Sequence, residues 1–272
     1  MKHNPHEVAA PHHPDHDRIR DEVRSWYRTS WPQRGYHVEH RRFGFYRRHA
    51  KHPDAGLIII EALTANGVPE LLADARTYFD NRPVHLAFED KTLDKTLGPS
   101  LVAAGCAIDQ ANTYLAHVGP PPDRVHLPDV TVEPVTADTL MDYVQTKLKG
   151  FADSEAAPPA NQIDEELSLR KSELETIARF LIARVANDPA AVIGHYDGPD
   201  RLIFNLATRL PFRMKGLARQ LLSQVIADSY NQNCRSIIIN TNPADTPIHW
   251  YTRLGFTDEV YYRRTYLFDA SA

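Results

Sequence analysis

Arg213-Met-Lys-Gly-Leu-Ala218 follows an apolar run, Leu202–Leu206, and opens an amphipathic stretch with apolar residues at Leu217, Leu221, Leu222, Val225, Ile226 and Tyr230. The run reads as a buried strand and the stretch as a helix. A strand that turns sharply into a helix leaves backbone N–H groups unpaired at the helix start. Those donors and the positive end of the helix dipole suit a phosphate-type anion. Gly216 has no Cβ, so a ligand can approach the main chain closely there. The local charge agrees. Arg201 to Ala227 holds no acidic residue and carries Arg201, Arg209, Arg213, Lys215 and Arg219, although the whole chain has a formal net charge of −4. A basic stretch inside an acidic protein points to a local anionic ligand, not to nucleic acid bound along the whole molecule.

Working outward, Val118-Gly-Pro-Pro-Pro-Asp-Arg-Val-His-Leu-Pro128 carries four prolines in eleven residues. That density excludes a helix interior or a central strand, so the segment reads as a semi-rigid extended connector and places a domain boundary near residue 125. Beyond it come a short strand (Val130–Pro134), a helix from Thr136 to Leu148, a polar loop (Asp153–Asn161), and a second helix from Asp164 to about Ala178. A hairpin about Asn187-Asp-Pro189 follows, then the strand before the Arg213 turn. The helix after that turn leads to a buried strand (Ser236–Asn240), a short helix (Pro247–Leu254) capped by Gly255, and a last strand (Val260–Phe268). The order is β-α-α-β-β-β-α-β-α-β.

The N-terminal half repeats the later part of this order. Gly56–Leu63 reads as a strand, Pro69–Asp80 as a helix, Val84–Phe88 as a strand and Gly98–Ala104 as a helix. Gly105-Cys106 leads to Thr113-Tyr-Leu115, just as Gly255-Phe256 leads to Thr265-Tyr-Leu267. At the place of the Arg213 turn stands Thr64-Ala-Asn-Gly-Val68, which has no basic residue. The expected division is a His- and Pro-rich disordered tail over 1–17, a degenerate unit over 18–124, and an intact unit over 125–272.

Composition sets the outer limits. The chain has 272 residues, 42% hydrophobic and 24% charged, as in a soluble globular protein. Cys106 and Cys234 are the two cysteines, at no metal-ligand spacing. No metal site and no disulfide framework are expected, in keeping with a reducing compartment. There is neither an apolar run of membrane-spanning length nor a signal-peptide stretch, so a cytoplasmic location and no membrane partner are expected. Arg41, Arg42, Arg47 and Arg48 lie among Phe43, Phe45 and Tyr46, which raises nucleic-acid binding as one reading. The net negative charge and the surface-strand alternation argue against it.

The C-terminal half resembles the GNAT-type N-acetyltransferases. The resemblance covers about residues 128–268 and rests on the Leu206–Ala218 strand and turn, on Tyr251-Thr-Arg-Leu-Gly-Phe256, and on the order of elements. The paired halves are similar to tandem members with one degenerate copy. The implied fold is a mixed, mostly antiparallel sheet flanked by helices, in two related units. The implied donor is acetyl-coenzyme A (acetyl-CoA). Its pantetheine arm would meet the main chain of Leu206, Ala207 and Thr208 as an extra strand does. Its pyrophosphate would meet the main chain of Met214, Lys215, Gly216, Leu217 and Ala218, with Arg213 and Lys215 adding charge. Tyr251 stands where the family's general acid stands.

Three positions depart from the family pattern. The usual Asn before the Tyr is Ala244, Pro247 replaces a small residue, and the strand before the turn carries no acidic base. His195 is the leading candidate base, with Asp197 and Asn205 nearby. The implied acceptor is an amine of a small molecule or a peptide, with Asp153 and Glu155 as possible contacts, and the expected assembly a monomer or homodimer. The alternative is a non-catalytic protein that binds coenzyme A or a partner.

Overall fold

A computed structural model describes residues 15–33, 36–49, 56–152, 154–243 and 248–270. Most of the His- and Pro-rich tail, together with Asp153, Ala244 and Pro247, lies outside them. The chain forms two compact units. One comprises residues 116–240 and 249–258. The other comprises 15–115 and takes in the C-terminal residues from Glu259 onward. The expected boundary near 125 therefore moves, and the last strand leaves the unit its sequence position suggests. Adjacency in sequence carried that expectation, whereas strand pairing decides membership.

In the N-terminal unit, α1 (His16–Gln33) precedes the hairpin β1 (Tyr36–Arg41) and β2 (Gly44–His49). Then come β3 (Gly56–Ile60), α2 (Val68–Tyr78), β4 (Val84–Phe88), α3 (Lys91–Ala103) and β5 (Ala107–His117). Strands β3 and β4 are parallel, and the C-terminal strand β11 (Phe256–Phe268) runs antiparallel to β4, with Arg264 opposite Phe88 and Phe268 opposite Val84. α3 starts earlier than expected because Asp90 caps it, accepting from the N–H groups of Thr92 (2.6 Å) and Leu93 (3.1 Å). The core gathers Ile58, Leu71, Leu86, Phe88, Leu101 and Tyr266. The hairpin arginines are engaged. Arg41 pairs with Asp74, Arg42 pairs with Glu70, and Arg47 stacks on Trp31 and Tyr36.

The C-terminal unit holds β6 (Val130–Pro134), α4 (Leu140–Phe151), α5 (Ala160–Thr176), β7 (Ala178–Val185), β8 (Asp188–Tyr196) and β9 (Asp200–Thr208). After these come α6 (Leu217–Asn231), β10 (Ser236–Thr241) and α7 (Ile248–Arg253). The expected element order holds, and the sheet is mixed and mostly antiparallel. Its strand order in this unit is β10-β9-β8-β7-β6, with only β9 and β10 parallel. The β7–β8 turn forms at Ala186 and Asn187, which take φ of 49° and 68°. One sheet face packs Val192, Ala207 and Phe180 against Leu140, Tyr143 and Val144 of α4. α6 buries Leu217, Leu221, Leu222, Val225 and Ile226.

α5 has a weak apolar face, and buried ion pairs help hold it. Arg170 bridges Glu166 and Glu173, Lys147 of α4 joins Glu166, and the Tyr196 hydroxyl donates to Glu173 at 3.0 Å. Arg170 and Glu173 are both buried. Such a network is strongly destabilising when one partner is removed, because a charge is left buried and unpaired.

Candidate functional site

Strand β9 changes character halfway along. Its parallel pairing with β10 runs from Asp200 opposite Ser236 to Ile203 opposite Ile239 and goes no further. Its antiparallel pairing with β8 slips at the same level. Gly194 faces Phe204, whereas Val192 faces Ala207, so one extra residue is inserted in β9. Asn205 sits at that bulge with a φ of 54°, a left-handed conformation that Asn tolerates better than most residues. The bulge is absent from the sequence reading. An Asn inside an apolar strand was its one visible signal.

Beyond the bulge β9 stays on β8, and the Arg209 N–H donates to Ala190 O at 3.0 Å. By strand alternation, Leu206 and Thr208 then direct their main-chain groups to the opposite edge, which β10 no longer covers. The structure thus gives Leu206 and Thr208 the open edge and turns Ala207 inward, where it is buried against α4. Parallel pairing brings the C-terminal ends of β9 and β10 to the same edge of the sheet.

From that edge the chain runs through a short 3₁₀ turn, Leu210–Phe212, into the segment singled out from sequence. Met214 has a φ of 61° and Gly216 a φ of 86°, and α6 begins at Leu217. Two left-handed residues flanking Lys215 turn successive N–H groups toward one side, which makes an anion-binding concavity ahead of the helix dipole. The first main-chain bond of the helix start is Gln220 N–H to Gly216 O at 2.9 Å, which leaves the preceding N–H groups as helix-start donors. Met214 is fully exposed.

Arg213 has a different role from the expected one. Its guanidinium donates to Thr208 O (3.1 Å) and Gly150 O (2.7 Å), so it braces the turn against β9 and the end of α4. Arg209 is also engaged, with Glu155, Asp188 and the carbonyl of Pro189. Glu155, expected as an amine contact, is therefore already paired. Lys215 and Arg219 have no carboxylate partner among the described residues, and Lys215 lies over Phe212.

Two further residues shape this site from a distance in sequence. Gly150 lies so close to β9 that a Cβ on it would sit 2.9 Å from Ala207 Cβ and 3.2 Å from Thr208 N. Gly150→Ala is expected to push the β9 edge outward and raise the KM for the donor about tenfold, with a small change in Tm. Steady-state kinetics with a thermal melt test this. The connector has neither helix nor strand before β6 and is packed along α6. Tyr230 OH donates to Gly119 O, Arg124 pairs with Asp228, and the Val125 N–H donates to Ser223 Oγ. At its far end the side chain of Leu127 lies 3.7 Å from where a Gly216 Cβ would be.

Tyr251 lies on α7 with 6% of its surface exposed, edge-on to Trp250 and Phe256. Burial pushes its phenol up to about 12, so it remains protonated through the physiological range. Gly255 closes the α7 turn with a φ of 94°, and a Cβ there would lie 2.6 Å from His117 Nε2.

His195 sits on β8 opposite Ile203 and Arg179. It belongs to a charged cluster in which its Nδ1 is 3.4 Å from Asp197 Oδ1, and Asp197 also meets Arg179 and Arg201. Burial first, then the Arg201 charge, lowers His195 to about 4, with Asp197 opposing. It is neutral at pH 7 and free to accept a proton, but with an affinity far below that of an amine.

His117 is likewise lowered to about 4 by burial. Both histidines fold in the neutral form, so their contribution to stability is complete above the ordinary value of 6.5 and is lost as pH falls toward 4. Each is worth on the order of 3 kcal/mol across that window. The denaturation midpoint is expected to fall steeply between pH 6.5 and 4, and His195→Gln to flatten that slope by about half.

The N-terminal unit shows what the site looks like when absent. β3 stays paired with β4 over all five residues, Gly56–Ile60 on Val84–Phe88. Gly67, before α2, has a φ of −86°, and no left-handed residue lies between Glu61 and Val68. Neither an opened strand edge nor a left-handed turn forms there. Among the described residues, no group of His, Cys, Asp and Glu could hold a metal ion. No helix among them is long and apolar enough to cross a membrane.

A strand opened by a bulge and followed at once by a left-handed turn into a helix is the geometry of residues 205–219. Residues 145–256 match the family model described as the acetyltransferase (GNAT) family. No curated protein matches the chain by sequence. The fold of the whole chain is shared with solved structures. A functionally unknown conserved protein from Staphylococcus epidermidis aligns with a TM-score of 0.64 at 14% identity, over 82% of this chain and 90% of that one. A GCN5-related N-acetyltransferase from Kribbella flavida aligns at 0.61 and 15%, over 91% and 95%. A tandem GNAT protein from the clavulanic acid biosynthesis pathway aligns at 0.60 and 10%, over 85% and 80%. The chain thus has the GNAT fold in its tandem form.

Proposed function

We propose that the protein transfers an acetyl group from acetyl-CoA to an amine of a small molecule or peptide, using the C-terminal unit alone. One observation carries this reading. A single segment, Asn205–Arg219, offers an uncovered strand edge followed at once by a left-handed anion-binding turn, the two features an extended amide-bearing arm ending in a pyrophosphate requires. Acetyl-CoA supplies, when bound, an activated thioester carbonyl.

The chain's own residues do the rest. The main-chain groups of Leu206 and the N–H of Thr208 align the donor as an added strand, the Thr208 carbonyl being already bound by Arg213. The N–H groups from Met214 to Ala218 hold the pyrophosphate, with Lys215 supplying charge. A main-chain N–H at the bulge polarises the carbonyl in this reading. Tyr251, neutral and buried, donates a proton or a hydrogen bond to the departing sulfur. Much of the rate comes from holding the two reactants together. His195 or a water beside it takes the proton released by the amine, in keeping with its neutral state at pH 7.

Calorimetry with acetyl-CoA, together with thiol release on a panel of amines, tests the proposal. Micromolar binding with amine-dependent thiol release supports it. Binding without turnover on any amine leaves a coenzyme A-binding protein. Absence of binding overturns the proposal.

A further inference from the structure

The unit without the anion turn carries an open strand edge. In the N-terminal unit β1 pairs with β2 along its whole length, in an unbroken antiparallel register from Tyr36 opposite His49 to Arg41 opposite Gly44. No described strand pairs with its other side, because β1 ends the strand order. Such an edge presents main-chain N–H and C=O groups that can take a further strand, and proteins blunt it with proline, lysine, bulges or very short strands. β1 has no proline, no lysine and no bulge. The outer strand of the C-terminal unit, β6, shows the contrast, since it is short and ends in Pro134.

The side chains of β1 say which strand fits. Tyr36, Val38 and His40 share one face, where Tyr36 and Val38 lie against the cluster of Trp31, Leu57 and Ile59. His37, Glu39 and Arg41 share the other face. Arg41 is committed to Asp74. Glu39 has only loose contacts along its own strand, 3.8 Å to His37 and 3.8 Å to Arg41. A second copy of β1, related by a two-fold axis normal to the sheet, runs antiparallel and keeps the same faces on the same sides. Only residues of one face then stand opposite one another, so the two longest overlaps are centred on Val38 and on Glu39. Centred on Glu39, two carboxylates meet across the axis and each His37 meets an arginine, which is unfavourable. Centred on Val38, the strand complements itself. Val38 meets Val38, each Tyr36 meets the His40 ring of the other copy, and each His37 brings an N–H donor to the Glu39 carboxylate of the other copy.

We propose that the N-terminal unit is a dimerisation module, in which β1 pairs antiparallel with β1 of a second copy in the register centred on Val38. Main-chain bonds supply the adhesion, and the two His37–Glu39 pairs with the apolar centre fix the register. So short an overlap makes a small interface, with an expected dissociation constant of about 10 µM. No residue of the acetyl-CoA site takes part, so the assembly and the acetyl-transfer reading stand or fall separately.

Sedimentation velocity of the full-length protein from about 1 to 200 µM tests this, and wild type is expected to pass from monomer to dimer across that range. His37→Glu sets a carboxylate opposite Glu39 on both sides of the axis and is expected to weaken self-association at least about tenfold. The double variant His37→Glu/Glu39→Lys is expected to restore it to within about threefold of wild type, because each new carboxylate meets a new ammonium group. The side chains of His37 and Glu39 are 60% and 45% exposed, so both variants are expected to keep their Tm, which a thermal melt checks. Wild type that stays monomeric at about 200 µM overturns the proposal. So does a dimer that survives His37→Glu, or a folded double variant that stays monomeric, since each places the contact elsewhere or in another register. Assemblies larger than a dimer overturn the closed two-fold pairing.

Discussion

Gly216→Val is expected to weaken donor binding at least a hundredfold while lowering Tm by only a few degrees. Gly216 holds a φ of 86°, where a β-branched residue is a genuine outlier. Forcing valine there costs roughly 1–2 kcal/mol of backbone energy. The larger loss is functional, because relief of the strained φ would tilt the N–H groups on either side. Each charge-assisted bond to a phosphate is worth about 1.5–3 kcal/mol, so losing two accounts for the expected drop. Calorimetry with acetyl-CoA reads the affinity, and a thermal melt separates it from unfolding. Unchanged donor affinity in a folded variant would remove the turn from the binding site.

Tyr251→Phe should lower kcat about a hundredfold or more and leave the KM for acetyl-CoA within about twofold, as expected for a group that acts in the transition state. The phenol is 6% exposed and its ring packs against Trp250 and Phe256, so phenylalanine preserves the packing. The sign of the pH effect follows from the shift. A phenol raised to about 12 stays protonated up to pH 10, so Tyr251 contributes no falling limb to the rate profile below that pH. A variant with wild-type kcat, measured by thiol release, would reduce Tyr251 to a packing residue.

The legible part of this site was local. Gly216 and the basic turn stood out because a strand, a turn and a helix follow one another within about twenty residues. Tyr251 and Gly255 stood out for the same reason, and the observed φ at both glycines fits the turns read for them. The side-chain roles were less legible. Arg213 and Arg209 look alike in sequence to Lys215 and Arg219, yet the first two are drawn into carbonyl and carboxylate contacts with α4, β8 and the loop before α5. Glu155 is consumed in the same way. Nothing in the local pattern distinguishes an arginine that will find a partner more than fifty residues away from one that will not.

The sequence by itself determined the order of elements, the duplicated plan of the two halves, the basic glycine-bearing turn ahead of α6 and the lack of a basic turn at the matching place in the first half. Each depends on periodicity, on glycine and proline, or on charge within a short window. Only the tertiary structure decided the opened edge of β9, the close approach of Gly150, the place of β1 at the end of the strand order, and the assignment of the last strand to the N-terminal unit. The physical reason is common to all four. Each is set by which distant segments pair or pack, and the free energy of that choice is spread over many contacts, none of them written in a neighbouring residue.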